Sequence, residues 1–325
     1  MPELPEVESI KIQLEKFLVG SPRGGALRGS PRGGALRGHI IKKLEIRNPK
    51  YEIEKEKIEN TKITGVRRFG KVLVIDLSSN YSIVTHVKMT GQFIYQGPNL
   101  LNVKSLSHKV VGGLGGKHTH VIFHLDRGGV LYFNDYRRFG WMRLEKTSNI
   151  QNSKNPNNYI GKLGKEFLKD LTLEEFSEIL VKSKKPGKEF LKDLTLEDFS
   201  EILVKSKKPI KILLMDQTKM AGVGNIYAND ALWLAMINPR KQANKLLNYQ
   251  IIKLLKSVEK VLKEGIKRGG ASELAYVAPD GSEGHYQDFT LVYGREKEPC
   301  KNCKTPIEKV KLGGRGTYFC PVCQK

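Results

Sequence analysis

Apolar positions along the chain repeat with two periods that alternate from one region to the next. Val7, Ile10, Leu14, Phe17 and Leu18 recur at helical spacing, so residues 3–19 are predicted to form one amphipathic helix. Short runs rich in β-branched and aromatic residues follow: KKLEIRN, KITGVRRFG, KVLVIDLS, YSIVTHVKM, THVIFHLD and GVLYFND, separated by glycine and asparagine turns. They predict a β-rich domain, a sandwich, so that residues 1–148 form an N-terminal helix plus sandwich. The stretch TSNIQNSKNPNNY (147–159) is polar and asparagine-rich, which places a linker at 149–162. Helical periodicity returns from about 163 to 270, and a helical domain is assigned to 163–290. Residues 291–325 revert to short strands around cysteines. The fold class expected is therefore α+β, with several domains.

Two internal repeats interrupt this pattern. SPRGGALRG occurs twice in tandem at 21–38, and GKEFLKDLTLEEFSEILVKSKKP (164–186) recurs at 187–209 with only Glu175 replaced by Asp198. Two copies are too few for a solenoid. The short repeat has too little apolar surface to fold and is expected to be an inserted loop. The long repeat is a capped helix: Thr172 with Glu175 has capping-box spacing, and Thr195 with Asp198 is a weaker version. The second copy runs directly into Pro209-Ile210-Lys211, so it is expected to take the structural slot and leave the first as an extra helix packed outside.

Charge then narrows the class of partner. Of 325 residues, 56 are Lys or Arg against 34 Asp or Glu, a formal net charge of +22, and discounting the duplicated segments still leaves +18. Such a surplus suits a polyanion, nucleic acid first and an anionic membrane surface second. The longest apolar run, ALWLAMI (231–237), is far shorter than the roughly 20 residues of a membrane span, so no membrane is expected. With no signal-peptide pattern at the acidic N-terminus, the chain is expected in the cytoplasm. All four cysteines form two C-x-x-C pairs: Cys300, Cys303, Cys320 and Cys323. That spacing predicts one structural Zn2+ held by four thiolates, with the intervening segment folded back as a hairpin. A zinc-stabilised module that touches nothing is the plainer reading. Against it, Lys309, Lys311 and the glycine-flanked Arg315 decorate the hairpin and point to phosphate.

Two further segments carry candidate chemistry. Gly222-Val223-Gly224-Asn225 precedes a helical run, a pattern that brings backbone N–H groups and a helix dipole to an anion, although ordinary turns share it. Lys211 and Lys219 lie nearby. At the start, MPELPEVE sets acids beside a proline. Methionine before proline is usually removed, which leaves Pro2 with a secondary α-amine of low basicity, able to attack an aldehyde-like sugar carbon and form an iminium ion. Glu3 and Glu6 share a helix face, so one can transfer protons while the other holds the terminus. Alone, the stretch is equally a good helix start. His118, His120 and His124 in KHTHVIFH offer a metal site, but sheet surface or phosphate contact is the better reading.

PELPEVE, RRFGKVLVIDL, THVKMTG, NDYRRFG, MAGVGNIYANDAL and the terminal four-cysteine finger, in this order, resemble the bacterial formamidopyrimidine-DNA glycosylases (the Fpg/MutM family). The resemblance covers the chain outside the duplications. It implies a helix–two-turn–helix in the helical domain and a zinc-finger β-hairpin at the end. It also implies a DNA repair enzyme that excises oxidised purines (8-oxoguanine and formamidopyrimidines) from double-stranded DNA and cleaves the strand by β,δ-elimination. Pro2 is then the nucleophile at C1′, Glu3 the general acid–base and Glu6 its support. Lys71 sits by the damaged nucleotide. His86, Lys211 and Asn225 hold phosphates, and Arg315 grips one from the finger. Met89, Arg137 and Phe139 fill the gap left by the extruded base, with Arg137 on the opposite cytosine. No organic cofactor is implied, and the protein is expected to act as a monomer in a bacterial cytoplasm, at the nucleoid. Related readings are an endonuclease VIII-like enzyme for oxidised pyrimidines, against which Leu4 argues, a non-catalytic zinc-dependent binder of damaged DNA, and a generic zinc-ribbon RNA binder. Two segments depart from the family. YQGPNLLNVKSLSHKVVGGLGG (95–116) is longer and richer in glycine and is expected to be a solvent loop. ASELAYVAPDGSEGHYQDF (271–289) takes the place of the loop that covers the flipped base and is expected to be a mobile lid.

Overall fold

The computed structural model describes residues 1–20, 38–51, 53–98, 100, 106–151, 159–168 and 194–325. The 21–37 repeat and most of the first copy of the long repeat therefore lie outside the described residues. The chain divides into two units: Met1–Pro2, Glu6–Gly161 and Ala271–Gly284 form the first, and Glu3–Pro5, Lys162–Gly270 and His285–Lys325 the second.

In the first unit, helix α1 (Leu4–Leu14) begins the chain and continues as a single π-helical stretch (Glu15–Val19). Gly20 ends it with φ 87°, a left-handed conformation that glycine adopts without strain, while its N–H closes the wide turn on Glu15 O (3.1 Å). Two four-stranded antiparallel sheets follow. One has the order β1 (Ile41–Ile46), β6 (Thr119–Leu125), β7 (Val130–Asp135), β5 (Gly91–Gln96). The other runs β2 (Ile63–Phe69), β3 (Val72–Leu77), β4 (Tyr81–His86), β8 (Trp141–Lys146). Inward residues of both sheets, such as Leu44, Phe93, Phe123, Ile75 and Ile83, share one core with Val7, Ile10, Leu14, Phe17 and Leu18. This is the sandwich that the alternation predicts. The amphipathic expectation for residues 3–19 is not met: every residue from Pro2 to Ile12 is buried. Glu8 and Lys11 are accommodated by ion pairs. Glu8 meets Arg68 Nε at 2.5 Å, both side chains about 1% exposed, and Lys11 Nζ lies 3.7 Å from Glu8 and 3.4 Å from Glu15. The stretch read as a linker opens with a short helix α2 (Thr147–Gln151), and Ile150 and Ile160 pack against Val72, Val74 and Val84 on the outer face of the second sheet.

The second unit begins in a strand pair, β9 (Lys165–Glu166) with β10 (Met220–Ala221). Helix α3 (Leu196–Val204) starts at the capping box, with Asp198 N donating to Thr195 Oγ1 and Thr195 N to Asp198 Oδ2, each 3.1 Å. Phe199 on α3 packs edge-to-face on Phe167 (5.7 Å). The second copy of the repeat thus supplies the helix and the first supplies the strand before it. Helices α4 (Ile210–Leu214), α5 (Asn225–Ala235) and α6 (Asn248–Lys267) follow. A Cβ at Gly265 of α6 would lie 2.5 Å from the Tyr227 ring, so α5 and α6 approach through a glycine. The terminal hairpin is β11 (Glu308–Leu312) with β12 (Arg315–Phe319), turned by Gly313 and Gly314 at φ 56° and 75°.

Candidate active site

The second unit gathers Glu3, Asn225, Lys211 and Arg315. Glu3 is buried, and its carboxylate sits on the N-terminus of α5: Oε1 accepts from Ile226 N (2.9 Å) and Oε2 from Tyr227 N (3.4 Å). A carboxylate there satisfies otherwise orphaned N–H groups and meets the positive end of the dipole. The glycines before α5 make this possible. Gly222 takes φ 101° and its carbonyl accepts from Leu4 N (3.0 Å), while a side chain at Gly224 would collide with the Glu3 carboxyl. The G-x-G-N turn, expected to meet a phosphate, here receives the Glu3 carboxylate. Gln217, unnoticed in the sequence, braces the turn: its Nε2 donates to Val223 O (2.8 Å) and its Oε1 accepts from Gly222 N (3.0 Å).

Lys211 is fully buried on α4, and its Nζ donates to Gly316 O (2.8 Å) and Thr317 Oγ1 (2.7 Å) on the terminal hairpin. The ammonium thus fixes the strand that begins with Arg315. Burial lowers its pKa to about 7, with Glu3 opposing that shift and Arg315 adding to it. Arg315 itself is exposed at the hairpin turn.

In the first unit Glu6 accepts from Ala271 N (2.7 Å). Lys71 is buried in the β2–β3 turn, which Arg68 braces by donating Nη1–H to Gly70 O (3.0 Å). His86 ends β4, buried between the edges of Trp141 (6.0 Å) and Tyr159 (5.9 Å). Its Nδ1 accepts from Lys88 N (3.0 Å), which leaves the proton on Nε2. Burial, with Lys88 and Lys71 adding to it, takes its pKa down to about 3.

Met89, Arg137 and Phe139 come together on the turns after β4 and β7. Arg137 Nη1 lies 3.3 Å from Met89 Sδ and its guanidinium 4.5 Å from the Phe139 ring centroid. Phe139 is 50% exposed, so it is not a core residue. The joint is made by two side chains that the sequence reading missed. Buried Asp135 accepts from Thr90 Oγ1 (2.5 Å) and Gly140 N (2.7 Å), and Thr90 Oγ1 accepts from Arg137 N (3.1 Å). The flanking Lys88 and Arg138 both hold positive φ, 51° and 57°, a cost a folded chain sustains where surrounding bonds impose it.

His120 is buried against Tyr51, with Nε2 2.9 Å from Asp135 O, and His118 packs on Tyr136. Among the described residues the only group of three or more potential metal ligands is the cysteine set. Its four Sγ atoms lie within 4.8 Å of one another, with Cys300–Cys323 at 4.0 Å and Cys303–Cys320 at 3.4 Å. Tetrahedral thiolate zinc requires edges of about 3.8 Å, so the set fits. Trp233 Nε1–H donates to Cys300 Sγ (3.3 Å) and Asn302 Nδ2–H to Cys323 Sγ (3.4 Å), bonds suited to thiolates. The site holds one structural zinc.

Residues 1–142 match the formamidopyrimidine-DNA glycosylase N-terminal domain, 186–275 the H2TH domain of the same proteins, and 297–325 the zinc finger found in FPG and IleRS. The formamidopyrimidine-DNA glycosylase of Pelotomaculum thermopropionicum is 35% identical over all of this chain and 99% of its own length. Among solved structures, Lactococcus lactis Fpg in complex with N7-benzyl-Fapy-dG DNA superposes with a TM-score of 0.75 at 30% identity, covering all of both chains. Its complex with abasic-site DNA gives 0.74 at 31% over 99% of each. With the N-terminal, H2TH and zinc-finger regions all matched and similarity running the full length, the chain belongs to the formamidopyrimidine-DNA glycosylase family.

Proposed function

We propose that the chain is a bifunctional DNA glycosylase and AP lyase that removes oxidised purines from double-stranded DNA. The observation that carries the reading is the anchoring of Glu3, the residue next to Pro2, by the N–H groups of Ile226 and Tyr227. Removal of the exposed Met1 frees the Pro2 secondary amine. That amine attacks C1′, the glycosidic bond breaks and the base leaves. Glu3 protonates the ring oxygen as the sugar opens, and the iminium that forms acidifies C2′, whose proton the Glu3 carboxylate then takes. The 3′ phosphate then departs by β-elimination and the 5′ phosphate by δ-elimination. Chemistry on a base requires its extrusion. His86 donates Nε2–H to a phosphate, and Lys71, Lys211, Asn225 and Arg315 complete the backbone contacts. Met89, Arg137 and Phe139 occupy the vacated stack, with Arg137 on the opposite cytosine. One set of these groups suffices, so the protein acts as a monomer. On this reading it works in a bacterial cytoplasm, on nucleoid DNA; among the described residues no helix is long and apolar enough to cross a membrane.

Borohydride trapping tests the reading. A duplex with 8-oxoguanine opposite cytosine should give a covalent adduct that maps to Pro2, and Pro2→Gly should lower adduct yield about a hundredfold or more while still binding the duplex. Trapping on oxidised pyrimidines alone would move the assignment to the endonuclease VIII-like class. Full cleavage by Pro2→Gly would remove the proline mechanism.

A further inference from the structure

Parts of two segments read as loose loops in the sequence, 95–116 and 271–289, are bonded to each other within the first unit. Lys109 is central. Its Nζ donates to Glu283 Oε2 (2.6 Å) and to the Ser272 carbonyl (2.5 Å), and its own carbonyl accepts from Gln92 Nε2 (2.7 Å) on β5. Ser107 donates Oγ–H to Glu283 Oε1 (2.5 Å) and its N–H to Gly281 O (3.1 Å). Gln92 also accepts from Val111 N (2.9 Å) and donates to the Ala275 carbonyl. The side chains of Lys109 and Glu283 are 23% and 25% exposed, so the pair is partly shielded from solvent. Lys109 and then Ser107, bonding the Glu283 carboxyl, hold its pKa below the ordinary value.

The far side of this segment reaches α1 and β5. Ala271 N donates to Glu6 Oε1 (2.7 Å), Asp280 N to Gln13 Oε1 (3.0 Å), and Tyr95 N to Pro279 O (2.8 Å). Lys109 therefore grips the carbonyl of Ser272, the residue that directly follows the one holding Glu6.

We propose that Lys109 is a positioning residue for base excision: by clamping Ser272 and Glu283 it keeps the Ala271 N–H on Glu6, and so holds the first turn of α1, next to Pro2, in reacting geometry. This rests on the Pro2 reading given above. A reacting atom displaced by an ångström loses rate without losing affinity. The competing role for a lysine in a DNA-binding protein is a phosphate contact, which would act on affinity and its salt dependence.

Single-turnover excision at saturating enzyme, with dissociation constants measured at two salt concentrations, separates these roles. The series is wild type, Lys109→Met, Lys109→Arg, Glu283→Gln and the double variant Lys109→Met/Glu283→Gln. Lys109→Met should slow excision about tenfold with the Kd changed less than about twofold, and Lys109→Arg should recover most of the rate. The double variant should be no slower than Lys109→Met, since both changes break one interaction. A wild-type rate in Lys109→Met, or a loss confined to Kd with a shallower salt dependence, would overturn the proposal. If Lys109→Met does not fold, a wild-type rate in folded Glu283→Gln does the same. Failure of the wild type to trap at Pro2 would instead sink the underlying mechanism.

Discussion

A histidine offered to a phosphate is expected to be a cation, and His86 is not one. Its ring lies between Trp141 and Tyr159, faces the field of Lys71 and Lys88, and accepts a backbone N–H on Nδ1. Each feature disfavours a second proton, and burial is the largest. The folded pKa of about 3 is below the unfolded value, so the folded state binds fewer protons at acid pH. His86 thus costs stability progressively as pH falls from 6.5 toward about 3, and nothing above 6.5. The ring resonances of His86 should show no titration above about pH 5. A midpoint above 6 for His86 would show that the ring is open to water and would restore a cationic contact. At this scale the chemistry-bearing residues were legible in the chain because they lie in contiguous motifs. Their supports were not. Thr90 and Asp135 are 45 residues apart, and no local pattern announces that one hydroxyl joins the two turns bearing Met89 and Arg137.

Helix α1 shows what hydrophobic periodicity can miss. The apolar stripe Val7, Ile10, Leu14, Phe17 and Leu18 was read correctly and does line the sandwich core. The polar positions between them were taken as a solvent face, since charged residues in a helix are ordinarily exposed. Glu8, Ser9 and Lys11 are buried, Glu8 with a partner from outside the helix, Arg68, while Lys16 stays exposed. Arg68 also donates to Gly70 O in the turn that carries Lys71. One buried pair therefore ties α1 to the β2–β3 turn. Glu8→Gln should leave the Arg68 charge uncompensated and destabilise the fold by about 3–5 kcal/mol, since removal of one partner of a buried pair costs far more than the pair contributes. Thermal or urea unfolding of the variant measures it. A loss under about 1 kcal/mol would mean that water reaches the guanidinium. The start of α5 carries a related lesson. A glycine-rich turn before a helix signals an anion, and the anion proves to be Glu3, more than two hundred residues away in sequence.

Across the whole chain, two segments that the sequence sets apart fare differently. Residues 106–116 are tied down by Ser107, Lys109 and Val111, which pair with distant groups. The described part of the duplicated unit amounts to one copy drawn from both. The described residues 164–168 come from its first copy and place Lys165 and Glu166 in the strand pair and Phe167 on Phe199. Residues 194–209 come from the second copy and supply α3 and the entry to Lys211. In each copy these two parts are joined by the same dipeptide, Lys-Asp, at 169–170 and 192–193. Deleting 169–191 would therefore link Leu168 to Lys192-Asp193 and regenerate one intact unit, with every described contact retained. The deleted stretch carries equal numbers of acidic and basic residues, so the +22 surplus that draws the protein to DNA is unchanged. Shortening a connection alters loop-closure entropy by only about 1 kcal/mol, in the stabilising direction. The deletion variant should accordingly keep its excision rate and duplex affinity within about twofold and unfold at the same or a slightly higher temperature. A fall in affinity that steepens with salt would assign DNA contacts to the deleted copy, and a lower unfolding temperature would show that it packs on the fold.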